Sequence, residues 1–106
     1  MRKWLTAVVL ALLAMFGLKV MLEFHRMSIV RREFRSIKPG QTKEQVIAKL
    51  GWPNRHAGPC GYIQPSRGGC VLEFVYSNPY DISEIYDIVT FASDGRVIEA
   101  HEWGSP

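Results

Sequence analysis

Between Trp4 and Leu18 the chain carries a single polar residue, Thr6, and the apolar run extends to Leu22 if Lys19 snorkels. Wound as a helix at about 1.5 Å per residue, Trp4 to Leu22 spans roughly 28 Å, just enough to cross the hydrocarbon of a bilayer. Such a segment leaves about four-fifths of the 106 residues for one core, so a cross-link or a partner matters for stability. Arg2 and Lys3 ahead of the run fit a secretory n-region. Where a small-x-small cleavage site belongs, however, stand Phe16, Gly17, Leu18 and Lys19. The expectation is an uncleaved signal anchor or transmembrane helix over residues 1–22, with residues 23–106 forming a single domain.

Charge divides the chain at the same place. Up to Gly40, Arg2, Lys3, Lys19, Arg26, Arg31, Arg32, Arg35 and Lys38 face only Glu23 and Glu33, whereas the remainder is mildly acidic. A globular part without a basic surface argues against nucleic acid as partner. Arg26, Arg31, Arg32 and Arg35 follow the apolar segment directly, a placement that suits anionic lipid headgroups as well as a solvated helix face. For orientation the signals conflict. Counting Lys and Arg on both sides places the domain in the cytoplasm, while the signal-like N-terminus and the two cysteines favour the periplasm, with the protein anchored in the inner membrane. The periplasm is the expectation adopted.

Beyond the span, Phe24, Met27, Val30, Phe34 and Ile37 recur at spacings of three and four, so the helix is expected to leave the membrane with an apolar stripe for the domain. Pro39-Gly40 breaks it. Thr42 then stands three residues before Gln45, the spacing at which the two side chains cap each other's backbone N–H groups. A short helix is expected from Lys43, burying Val46, Ile47 and Leu50, ending at Gly51 and unable to continue past Pro53.

Between Trp52 and Gly69, Pro53, Gly58, Pro59, Gly61, Pro65 and Gly68 exclude a long helix and permit at most a short strand, for which Tyr62 and Ile63 are candidates. Cys60 and Cys70 bracket the second half of this loop. A disulfide there closes a loop of about ten residues and is worth about 2–3 kcal/mol. The competing readings are free buried thiols, or a metal held with His56 or His101. Structural zinc sites usually bring ligands paired two to four residues apart, and this sequence has no such pair. From Val71 to Tyr76, alternation predicts a strand with its aromatic-rich side buried. Tyr86 to Ala92 and Arg96 to Trp103 are two more strand candidates, joined through the hairpin signal Ser93-Asp94-Gly95. The result is a three-stranded antiparallel meander and an α+β class, with two helices covering one side of the sheet.

These motifs, taken in order, resemble the SmpA/OmlA (BamE-like) family. Ile37, Gly40, Thr42, Val46, Leu50, Gly51 and Pro53 occupy the places of the family's Gly-x-(Ser/Thr), short helix and Leu-Gly-x-Pro string. Leu72–Tyr76 and Val89–Val97 look like its strands and hairpin. The resemblance covers roughly Ile37 to Trp103. It implies a non-catalytic envelope module contributing to outer-membrane β-barrel assembly or envelope integrity, with the assembly machinery as partner. Family members are usually lipoproteins, whereas the only cysteines here are Cys60 and Cys70, so an inner-membrane tether replaces the usual lipid attachment.

The residues themselves offer more for binding than for chemistry. Asp81, Glu84 and Asp87 lie near a Pro-containing loop, where carboxylates are ordinarily just solvated. His25, His56 and His101 are far apart in sequence, and no nucleophile elbow or phosphate-cradling glycine motif is present. No enzyme and no cofactor is expected. Trp52, Tyr80 and Trp103, in loops or near the end of the chain, are the candidate partner-binding anchors. An alternative function is an inhibitor-like module for a periplasmic enzyme, because β-lactamase inhibitor proteins share this helix-plus-sheet architecture.

Overall fold

The apolar N-terminus and the stripe beyond it form one uninterrupted helix, α1 (Arg2–Phe34), in a computed structural model that describes residues 2–65, 68–80 and 84–105. Gly17, the one weak helix former in the apolar run, does not break it. From Trp4 to Leu22 every side chain except the half-buried Val20 is exposed, and the helix is long and apolar enough to cross a membrane. Further along, Met27 and Val30 are buried and Phe34 packs against the core. The same rigid rod is therefore a membrane-type segment at one end and a core element at the other. The domain boundary expected at residue 22 falls inside this helix. Phe24 departs from the expected stripe and remains 48% exposed, because it borders an open groove beside Asn78.

After α1 the chain turns at Pro39-Gly40 and enters α2 (Lys43–Leu50). The reciprocal cap is present: Gln45 N donates to Thr42 Oγ1 at 3.2 Å, and Thr42 N donates to Gln45 Oε1 at 2.8 Å. Gly51, at φ 79°, ends the helix and donates its N–H to Ile47 O at 2.8 Å. Val46 and Leu50 are thereby turned into the core, with Ile47 packed partly against it.

The sheet is antiparallel in the order β1-β2-β3-β4, with β1 at His56–Gly58, β2 at Leu72–Tyr76, β3 at Glu84–Phe91 and β4 at Val97–Ser105. It has four strands, not the three expected. The extra edge strand is His56–Gly58 rather than Tyr62-Ile63, and its three residues take extended form because they pair with Val75, Phe74 and Glu73. The β3–β4 turn is a three-residue loop in which Gly95 alone has positive φ, and Asp94 Oδ1 accepts from Arg96 N at 3.0 Å.

Opposed residues share a face of a sheet. Phe74, Tyr76, Val89, Phe91 and Val97 meet Met27, Val30, Ile37, Val46 and Leu50 to make the core. Phe74 and Phe91 pack edge to face at 4.9 Å between centroids. On the opposite face, which no helix covers, Glu73, Val75, Ile88 and Thr90 are buried as well. The loop after β1 is the cause. Cys60 and Cys70 are joined by a disulfide, with Cα atoms 6.1 Å apart. The Tyr62 ring stacks on His56 at 4.3 Å, and Gln64 reaches His101 in β4.

Candidate functional site

Two regions of the domain concentrate polar and aromatic groups. On the outer sheet face the disulfide-closed loop roofs a cavity of about 210 Å³, with Gln64, Glu73, Thr90 and His101 among its walls. Its polar groups serve the fold. Tyr62 N donates to Glu73 Oε1 at 3.3 Å, and the Thr90 hydroxyl donates to Glu99 O at 3.3 Å. His101 Nε2 meets Gln64 Oε1 at 3.0 Å, a contact that puts a ring proton on Nε2. His101 Nδ1 lies 3.5 Å from Glu99 Oε1, close enough for an ion pair if the ring is protonated, but it makes no hydrogen bond. The two cysteines lining the cavity are spent in the disulfide, so neither is a nucleophile. Beside the cavity, Arg55 lies 5.9 Å above the Tyr86 ring, and Tyr86 packs against Trp103 at 5.9 Å. This stack of one cation and two rings offers a partner the kind of side chains that dominate protein interfaces.

The second region is the end of the domain nearest the apolar half of α1. Arg26 Nη2 donates to the Trp52 carbonyl, which ties the α2–β1 loop to α1. The Tyr76 hydroxyl, buried in the sheet, donates to Gly51 O at 2.8 Å. Burial drives the Tyr76 pKa well upward against the opposing influence of Arg26. Asn54 and Ser77 bond each other through the Asn54 carboxamide. Asn78 Oδ1 accepts from Tyr80 N at 3.0 Å, fixing the following turn, and the Tyr80 ring meets Phe16 of α1 edge-on at 5.9 Å.

The three expected aromatic anchors thus separate. Trp52 is 59% exposed and tilts over Phe74, Tyr80 is half-buried against α1, and Trp103 is half-buried on the outer face. The four arginines separate too. Arg26 is half-buried and bonded, whereas Arg31, Arg32 and Arg35 are exposed at the domain end of α1. At 1.5 Å per residue, Arg26 stands about 6 Å beyond Leu22, while Arg31 and Arg32 stand about 14–15 Å beyond it.

One carboxylate departs from the solvated state expected beside a Pro-containing loop. Asp87 is not solvated: it sits in β3 opposite Tyr76, 2% exposed, and its Oδ2 has no hydrogen-bond partner among the described residues. Burial and the nearby Glu102 push its pKa up to about 6, against the pull of Arg31. Strand parity, which places Asp87 in step with Val89 and Phe91, was the signal available for this. Asp81 and the Glu84 side chain lie outside the described residues. Among the described residues no three His, Cys, Asp or Glu side chains form a metal-binding group. Comparison with protein-family models, with curated proteins and with solved structures finds no match to this chain.

Proposed function

We propose that this chain is a membrane-tethered, non-catalytic interaction module of the bacterial cell envelope, with its domain on the periplasmic side of the inner membrane. The observation that carries the reading is α1: exposed and apolar from Trp4 to Leu22, then embedded without a break in the domain core. A rigid joint of this kind holds the domain at a fixed height and attitude over the membrane, which suits docking at a set position. The Cys60–Cys70 disulfide supports an oxidising compartment. The structural engagement of Glu73 and Tyr76, and of His101 through Nε2, supports a binding role over catalysis.

The docking surface in this reading is the Arg55–Tyr86–Trp103 stack on the outer face. The partner suggested by the SmpA/OmlA-like motif is the β-barrel assembly machinery. The test is a photocrosslinking amino acid in place of Trp103 in the full chain, expressed in cells. A discrete adduct with an assembly-machinery subunit is the expected result. An adduct with a soluble periplasmic enzyme would transfer the function to the inhibitor-like reading, and no protein adduct would remove both.

A further inference from the structure

The Phe16–Tyr80 contact sets the height of the domain. Phe16 lies six residues before Leu22, about 9 Å down the helix axis from the end of the apolar run, and one turn below Lys19. A ring of the globular domain therefore touches α1 well inside the segment that crosses the bilayer. Trp52 marks a second point on the same end of the domain. Its carbonyl is bonded by Arg26, one turn beyond Leu22, and its ring is 59% exposed.

We infer that the domain does not stand clear of the membrane but is seated in it, with Tyr80 entering the outer edge of the hydrocarbon beside Phe16 and Trp52 lying in the headgroup layer. The occupant of this surface is the bilayer that α1 itself crosses. Three features fit lipid rather than water. Tyr and Trp are the side chains enriched at membrane interfaces, where an apolar ring and a polar tip are both accommodated. The turn carrying Tyr80 has its backbone N–H satisfied by Asn78, which lowers the penalty for leaving water. Lys19, between Phe16 and Leu22, draws the hydrocarbon boundary down toward Tyr80 as its ammonium seeks the interface. Two of the three aromatics expected to bind a protein are thereby assigned to lipid, and Trp103 alone remains for the partner. The inference rests on α1 crossing the membrane, and the experiment separates the two.

The chain has three tryptophans, Trp4, Trp52 and Trp103, so single-tryptophan proteins are made by Trp→Phe replacement in the full-length protein. Four are compared: Trp4 alone, Trp52 alone, and Tyr80→Trp or Ser93→Trp in the background lacking all three. Each is reconstituted into phosphatidylcholine–phosphatidylglycerol vesicles whose acyl chains carry bromine either near the headgroup or near the chain end. Bromine quenches at short range, so only tryptophans in the acyl chains or lying directly against them respond. Tyr80→Trp is expected to lose about half of its emission to the shallow bromines and less to the deep ones, with Trp52 quenched about half as strongly, in keeping with their depths. Ser93→Trp, at the hairpin tip beyond the far end of α1, stays unquenched. If Trp4 is quenched while Tyr80→Trp and Trp52 behave like Ser93→Trp, the anchor stands and the seating is wrong. If Trp4 is not quenched, both fail.

Discussion

Asp87 makes the stability of the domain depend on pH in a direction opposite to the usual carboxylate. Its side chain points to the helix-covered side of the sheet, where Tyr76, Glu102 and Arg31 surround it, and none of the described residues bonds its Oδ2. Folding raises its pKa from 3.8 to about 6. The folded state thus holds the proton more tightly than the unfolded one. The stabilisation is complete below pH 3.8, fades as pH rises through about 6, and is gone above it. Linkage between those two values makes the domain roughly 1.4 kcal/mol more stable at about pH 5 than at about pH 7.5 from this one group. Asp87→Asn removes the titration, and comparing the two proteins cancels what every other group contributes. With full-length protein in detergent micelles, followed by near-UV circular dichroism, the urea midpoint of the native chain should rise on acidification by about 1 M more than that of Asp87→Asn. Identical pH profiles for the two proteins would show that Asp87 titrates at its ordinary value, and would refute the effect assigned to its burial.

Other substitutions probe the elements that place the domain. Thr42→Ala removes one half of the reciprocal cap on α2 and should cost about 1 kcal/mol, read from the same urea midpoint. Replacing Cys60 and Cys70 together by Ala should cost about 2–3 kcal/mol, and reductant should then have no further effect on the variant. Phe74→Ala takes a buried ring from between Phe91 and Trp52 and should cost about 3–5 kcal/mol, with a change in the Trp52 emission maximum.

Local chemistry is what the sequence made legible. Thr42 and Gln45, Gly51, and the Ser93-Asp94-Gly95 turn each carry a short-range physical instruction, and each is carried out in the fold. The cysteine pair was legible as one reading among three, because spacing alone does not bring two sulfurs together. What escaped depended on contacts between distant segments. His56–Gly58 has no strand propensity of its own and is extended only by pairing with β2. The alternation around Glu73 says nothing of what covers the second face of the sheet, where Tyr62 from the disulfide loop bonds the Glu73 carboxylate. Asp87 was assigned to solvent from its neighbours along the chain, although the strand in which it lies carries it under α1. The meeting of Tyr80 with Phe16 joins residues far apart in the sequence, and neither one signals the other.

The proposed arrangement puts a disulfide-stapled domain on the oxidising side of a membrane crossed by α1. Its most direct test is maleimide labelling of Cys60 and Cys70 in intact cells, with the inner membrane sealed and the outer membrane permeabilised. No labelling by a membrane-impermeant maleimide is expected until reductant is added, and full labelling afterwards with the inner membrane still closed. Thiols that label without reductant, and only once the inner membrane is breached, would place the domain in the cytoplasm with its cysteines free and would overturn this arrangement.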